Sequence, residues 1–205
     1  MLSADDIAGA LSAGAEENQR LAIVPLPDLA RVRQRGGASV DLRLGRWFRS
    51  FKQTRTNSVS LVGRDANYAP PPTEMSRTRQ HFVPFGDCYV LHPGRFVLGA
   101  TLEWLRLPAG LSGYVTGKSS LGRHGLVIET AAGIHPLFSG CLTLELANIG
   151  EVPLEIYPGM EVCQIFLHRV DPCEAADMGQ FSGRRKPTLP LPQGDAVFRK
   201  LRDGH

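Results

Sequence analysis

The sequence predicts a mainly β fold, a sandwich or barrel-like jelly roll, preceded by a short N-terminal helix. Three observations carry this reading. The chain holds 22 glycines and 15 prolines among 205 residues, well above the roughly 12% usual in globular proteins. These residues punctuate short apolar runs, as tight turns punctuate strands. Between Phe82 and Arg169 the apolar runs follow one another almost without a break.

Taken in chain order, the helix comes first. Ser3 with Asp6 three residues on forms a capping-box pattern, Ile7 and Leu11 share a face, and Gly14 offers a stop. A Pro-marked stretch follows at Ile23–Pro27, and a polar, basic loop is expected from Arg31 to Gly37. Val40-Asp41-Leu42-Arg43-Leu44 alternates apolar and polar, the mark of a half-buried strand. From Thr54 to Arg79, with Pro70-Pro71-Pro72 and few apolar anchors, we expect a long surface excursion within one domain. Strands are then expected at Cys88–Leu91, Arg95–Leu105, Leu111–Gly117, Leu126–Ala131, Gly140–Ala147, Val152–Ile156 and Glu161–His168. The domain therefore spans residues 1–170. Residues 171–205, with Gly183-Arg184-Arg185-Lys186-Pro187, form a polar C-terminal tail, disordered or ordered only against something.

Composition excludes several classes of function. A formal net charge of +3 is too small to argue for nucleic acid as partner. No run of about 18 apolar residues crosses a membrane. The N-terminus carries Asp5 and Asp6 where a secretory signal needs bases. Four cysteines in a chain of this length make no disulfide framework, so the expectation is a cytoplasmic protein with reduced thiols.

Three places are candidates for chemistry. Gly117-Lys118-Ser119-Ser120 ends like a phosphate-binding P-loop, but Ser112 stands where that motif needs its first Gly. Gly122 and Gly125 also work against a following helix. Two hydroxyls, Lys118 and Arg123 can still bind phosphate, although a polar turn is the commoner meaning of such a segment. The second candidate is Glu145, which the alternation in Leu142-Thr143-Leu144-Glu145-Leu146 puts on the face opposite the leucines. A carboxylate there can serve as a proton acceptor or can simply face solvent on an edge strand. A zinc site is the third possibility, and the spacing rejects it: Pro172-Cys173 has no second Cys three residues on, and the six histidines form no His-x-x-x-His pair. Arg43, Arg46, Arg49, Lys52 and Arg55 read as a solvated or subunit-facing surface, and Trp47 and Trp104 as packing residues.

The stretch Gly117–Leu126, followed by Gly140-Cys141-Leu142-Thr143-Leu144-Glu145-Leu146-Ala147-Asn148, closely resembles the core of the dCTP deaminase family, within the trimeric dUTPase superfamily. Ser39–Gly45, Leu91–Gly94, Thr101-Leu102-Glu103 and Tyr157–Met160 resemble it in the same order, so the likeness covers roughly residues 1–170. The resemblance implies a dUTPase-like distorted barrel or jelly roll assembled as a homotrimer with interfacial active sites. It implies zinc-independent deamination of dCTP to dUTP and ammonia, with Glu145 as the general base that activates water. Ser119 and Arg123 would hold that water and the developing charge. Lys118, Ser119, Ser120 and Arg123 would contact the triphosphate, and the backbone at Ala131-Ala132 would read the base. His135, Gln164, Gln180 and Arg184 complete the implied substrate contacts, with the tail as a lid. Magnesium would arrive with the phosphates and need no protein cage.

This chain departs from the family pattern at His135, where an acid is usual, at Leu137, where Gly is usual, and at Gln180, where a phosphate-binding Lys is usual. A His is a donor or a cation where an acceptor stood. Two other readings therefore stay open: a bifunctional enzyme giving dUMP and pyrophosphate, and a non-catalytic nucleotide-binding regulator. A plain dUTPase is disfavoured because that family uses an Asp in the stretch held by His135.

Overall fold

The computed structural model describes residues 1–13, 20–53, 77–129, 133–172, 183–189 and 196–203. Helix α1 (Ala4–Ser12) starts as its sequence requires. The Ser3 hydroxyl accepts the Asp6 N–H, and the Asp6 carboxylate accepts the Ser3 N–H, both at 3.1 Å. The Ser3 hydroxyl, which also donates to the Asp6 carboxylate at 2.8 Å, and the Ser3 N–H, with Arg169 nearby, hold that carboxyl below its usual range. The helix buries Ala4, Ile7, Ala8 and Leu11. A second helix, α2 (Leu29–Arg35), replaces the expected basic loop. Its signals were local: Asp28 caps it by accepting the Arg31 N–H, and Gly36 ends it in the left-handed region at φ 59°.

Most of the remainder is β, as the turn-punctuated pattern predicted. The strands are β1 (Ala22–Val24), β2 (Ser39–Arg43), β3 (Trp47–Phe51), β4 (Thr78–Phe82), β5 (Tyr89–Leu91), β6 (Phe96–Ala100), β7 (Trp104–Arg106), β8 (Leu111–Gly117), β9 (Leu126–Glu129), β10 (Gly133–Ile134), β11 (Ser139–Gly140), β12 (Thr143–Asn148), β13 (Leu154–Ile156) and β14 (Glu161–Arg169). Among the described residues the strands pair antiparallel in four sheets, ordered β4-β3-β6-β12-β9, β10-β8-β14-β2, β1-β7-β11 and β13-β5. A one-turn helix, α3 (Ser119–Gly122), follows β8, and α4 (Ala196–Asp203) lies at the C-terminus. Among the described residues no helix is long and apolar enough to cross a membrane.

Two long runs expected as single strands are broken. The run Arg95–Leu105 divides into β6 and β7 because buried Thr101 turns inward, its hydroxyl donating to Glu103 O at 2.8 Å and accepting the Leu142 N–H at 2.9 Å. The same bond separates β11 from β12. Inward-facing side chains of the two larger sheets, including Leu42, Phe48, Val97, Leu144, Leu146 and Ile165, join one hydrophobic cluster with Leu44. A cluster of that size holds the ladders rigid and so fixes where outward-facing residues stand.

Candidate active site

Strand β12 presents Glu145 as its alternation demands. Leu144 and Leu146 are fully buried at 0% exposure, whereas Glu145 is exposed on the opposite face. In register it stands beside Leu98 of β6 and Glu129 of β9. Beyond Leu98 the same row continues to Arg49 of β3 and Gln80 of β4. Two carboxylates thus sit directly opposite each other at one side of the sheet, with a guanidinium two strands away.

The Gly117–Arg123 segment folds by backbone bonds. Gly117 lets β8 approach β9 closely, since a Cβ there would lie 3.0 Å from Ile128. The Lys118 N–H donates to Val162 O at 3.0 Å, and its carbonyl accepts from Leu121 and Gly122 at 3.0 and 3.1 Å. One helical turn therefore forms at Ser119–Gly122, although the glycines argued against a helix. It stops there: Gly125, at φ 89°, packs so tightly that a Cβ would meet Gly150 N at 2.7 Å. Ser119, Ser120 and Arg123 are exposed on this turn.

Lys118 turns the other way. Its ammonium donates to Asp41 at 3.0 Å and to Glu161 at 2.9 Å. Glu161 also accepts from Arg31 at 2.9 Å and Arg43 at 3.1 Å. Beside them Glu103 is buried and accepts the Arg43 N–H at 2.8 Å. Burial raises the Glu103 carboxyl above its usual pKa, partly offset by that bond and the Arg43 charge. Burial likewise pushes the Cys163 thiol up to about 12 and raises Cys141. Sequence reasoning missed this cluster, because its members are distant in the chain and meet only through the β8-β14-β2 ladders.

Among the described residues, no hydrogen bond or ion pair joins the turn to Glu145. Glu145 pairs with Glu129, while Leu126, the first strand residue after Arg123, pairs with Asn148. Three residues of strand, about 10 Å, lie between those two rungs, while Gly117, two residues before Ser119, packs on Ile128, one rung from Glu145.

The other expected contacts are scattered. Gln164 faces Thr116 and Asp41 in the ladder, and its side chain accepts from the Ser39 hydroxyl at 3.1 Å. His135 is exposed and opens a turn closed by the Phe138 N–H on its carbonyl. Leu137 sits in that turn at φ 64°, the one non-glycine at positive φ among the described residues. A Gly adopts that conformation freely, whereas Leu is strained there by about 1–2 kcal/mol. Ala131, Ala132 and Gln180 lie outside the described residues.

The tail segment at 183–187 is docked on the chain. Gly183 N–H donates to Ser139 O at 2.6 Å, and Cys141 N–H donates to Arg184 O at 2.8 Å. Arg185 lies 4.9 Å over the Trp104 ring, Lys186 lies 3.9 Å over Trp47, and Arg49 donates to Pro187 O at 3.0 Å. The strand alternation puts Trp47 and Arg49 on the face that bears Glu145, so the tail crosses that face. The two tryptophans do more than pack: each carries a cation from the tail, and Trp47 also meets Phe82 edge-on at 4.9 Å. Among the described residues, no three His, Cys, Asp or Glu side chains converge as metal ligands do.

Comparison with known proteins gives a consistent result. Residues 1–170 match the family described as dCTP deaminase-like. The chain is 39% identical over 197 residues to a Mycolicibacterium smegmatis protein named dCTP deaminase, dUMP-forming, covering 92% of this chain and 94% of that one. A Nocardia farcinica protein of the same name is 39% identical over 211 residues, covering 96% of each. Among solved structures, the 2'-deoxycytidine 5'-triphosphate deaminase of Agrobacterium tumefaciens superposes with a TM-score of 0.57 at 25% identity. That match covers 83% of this chain and 47% of the Agrobacterium chain.

Proposed function

The chain belongs to the dCTP deaminase-like family and is an enzyme, and from that premise we propose that it deaminates dCTP and carries the product on to dUMP. The sequence alone favoured release of dUTP. The name shared by the Mycolicibacterium and Nocardia relatives supports the dUMP-forming branch instead. The balanced course is two hydrolyses. Water adds at C4 of the cytosine and ammonia leaves; a second water then cleaves the bond between the α- and β-phosphates, releasing pyrophosphate.

The observation that carries the first step is the placement of Glu145, exposed on a strand whose other face is fully buried. Its carboxylate takes a proton from the attacking water and passes it to the ring and the departing amine. Ser119 and Arg123 hold that water and the developing negative charge. Ser119, Ser120 and Arg123 contact the triphosphate, with Arg184 adding charge from the tail and Gln180 near it. The backbone at Ala131-Ala132 reads the base edge, while His135 and Gln164 border the nucleotide. Magnesium enters as part of the nucleotide substrate.

The active unit is a homotrimer in this reading. The exposure of both Glu145 and the Ser119, Ser120 and Arg123 side chains, with no bond between them within one chain, supports it, since a neighbouring copy can supply the turn. The test is product analysis of purified protein incubated with magnesium and dCTP, CTP, dCMP or dUTP in separate reactions. Ammonia, dUMP and pyrophosphate from dCTP are expected. Accumulation of dUTP would remove the second step, and no ammonia from dCTP would remove the proposal.

A further inference from the structure

We propose that the cavity between the docked tail and strands β1, β3 and β7 is a further anion site, which takes a phosphate-bearing anion between Arg46 and Arg185 and so pins the tail. This goes beyond the deaminase reading and does not depend on it.

The cavity holds about 440 Å³, and its walls include Val24, Arg46, Trp47, Trp104, Cys141 and Arg185. Small-molecule sites are commonly of roughly 300–1,000 Å³. It lies off the Glu145 row, since Trp47 stands two residues, about 7 Å, from Arg49, the member of that row on β3.

The charge on its walls is of one sign. Among the described residues no acidic side chain lines it. Both guanidinium groups rest on rings: Arg46 lies 5.1 Å over Phe82 and 4.9 Å over Phe85, and Arg185 lies 4.9 Å over Trp104. Neither has an ion pair or a side-chain hydrogen bond among the described residues. A ring beneath a guanidinium fixes its place and leaves its N–H edge free. Two such groups on one cavity repel each other until an anion lies between them. A phosphate suits both forks, because it offers three acceptor oxygens where a carboxylate offers two. Burial raises the Cys141 thiol above its usual pKa, partly offset by Arg185, so the thiol adds no negative charge.

The two cations come from different parts of the chain. Arg46 directly precedes β3, and its carbonyl accepts the Val83 N–H at 2.9 Å. Arg185 belongs to the tail, between Arg184, whose carbonyl accepts from Cys141, and Pro187, whose carbonyl accepts from Arg49. An anion shared by Arg46 and Arg185 therefore adds a tie between tail and sheet, and it favours the tail position across the Glu145 face.

The chain has two tryptophans, and both line this cavity, so intrinsic fluorescence reports it directly. Full-length wild type, Arg46→Gln, Arg185→Gln and Arg123→Gln are titrated with inorganic pyrophosphate at constant ionic strength, each after a check for a cooperative thermal transition. We expect a saturable fluorescence change in the wild type. Half-saturation should rise at least about tenfold in Arg46→Gln and in Arg185→Gln, as loss of a bond to a charged group requires. It should hold in Arg123→Gln, which weakens only the turn after β8. Pyrophosphate should also slow proteolysis near 183–187 in the wild type and not in Arg46→Gln. In the Arg123→Gln protein, tighter binding of dUMP than of pyrophosphate would assign the cavity to a nucleotide phosphate, and the reverse to free pyrophosphate. No saturable change in the wild type would overturn the proposal. So would a change that Arg46→Gln and Arg185→Gln leave in place, or one that Arg123→Gln abolishes. The readout is binding, so the outcome is separate from whether the protein releases ammonia.

Discussion

Asn148 ends the strand that carries Glu145, and its replacement by Ala should be costly in a calculable way. The side chain is 1% exposed. Its amide donates to Leu91 O at 2.8 Å and Val152 O at 2.9 Å, and its carbonyl accepts the Gly150 N–H at 2.9 Å. Three bonds at about 1 kcal/mol each amount to about 3 kcal/mol, before any added cost for the groups left unpaired. For a chain of this size each kcal/mol lowers Tm by about 2–4 °C, so a fall of about 6–12 °C is expected. Urea titration with linear extrapolation gives the free energy directly, and a heating scan gives Tm. Asn148→Asp separates the contributions, because it keeps the acceptor for Gly150 but turns an anion toward two carbonyl oxygens. It should destabilise at neutral pH at least as much as Ala. A loss below about 1 kcal/mol for Asn148→Ala would show that water replaces these bonds, refuting the reasoning.

Glu103 should make stability depend on pH with an unusual sign. Its carboxyl is raised above 4.5 chiefly by burial, so the folded state binds a proton that the unfolded state releases. Its contribution is therefore full below about 4.5 and is lost as pH rises through the raised folded value. Glu103→Gln keeps an acceptor for the Arg43 N–H and removes that slope, so urea unfolding of both proteins across pH 4–8 should diverge as pH rises; a constant difference would contradict the assignment. The docked tail should respond to Trp47→Ala with Trp104→Ala, each exposed cation–π contact being worth about 0.5–1 kcal/mol. Limited proteolysis should cut near 183–187 faster in that variant, and equal cutting would mean that the bonds to Ser139, Cys141 and Arg49 hold the segment without the indole contacts.

Much of this was legible in the sequence because it is local. The capping box at Ser3, the strand Leu111–Gly117 and the outward face of Glu145 all follow from spacing within a few residues. What escaped was settled by partners far along the chain. Trp47–Phe51 and Thr78–Phe82 became strands because they pair with each other, and periodicity within either segment is weak. Thr101 broke a run that composition read as one strand, through its bonds to Glu103 and Leu142. Glu145, Ser119, Ser120 and Arg123 were singled out by motif, and all four are exposed. The Lys118 cluster was not singled out, because Asp41 and Glu161 look like ordinary strand-surface acids until β8, β14 and β2 align. Leu137 was visible as a departure from the family pattern, but its positive φ was not. The tail was read as disordered or ordered only against something; its described segment is ordered against the sheet by two main-chain bonds, two cations on indole rings and the Arg49 bond to Pro187 O.

The central claim is that Glu145 moves the proton. The most direct measurement compares the wild type and Glu145→Gln for nucleotide binding and for ammonia release from dCTP in the presence of magnesium. The amide preserves shape but accepts no proton at neutral pH, so binding should persist within a few-fold while ammonia release falls by about 100-fold or more. Ammonia release by Glu145→Gln at a rate near that of the wild type would contradict the account.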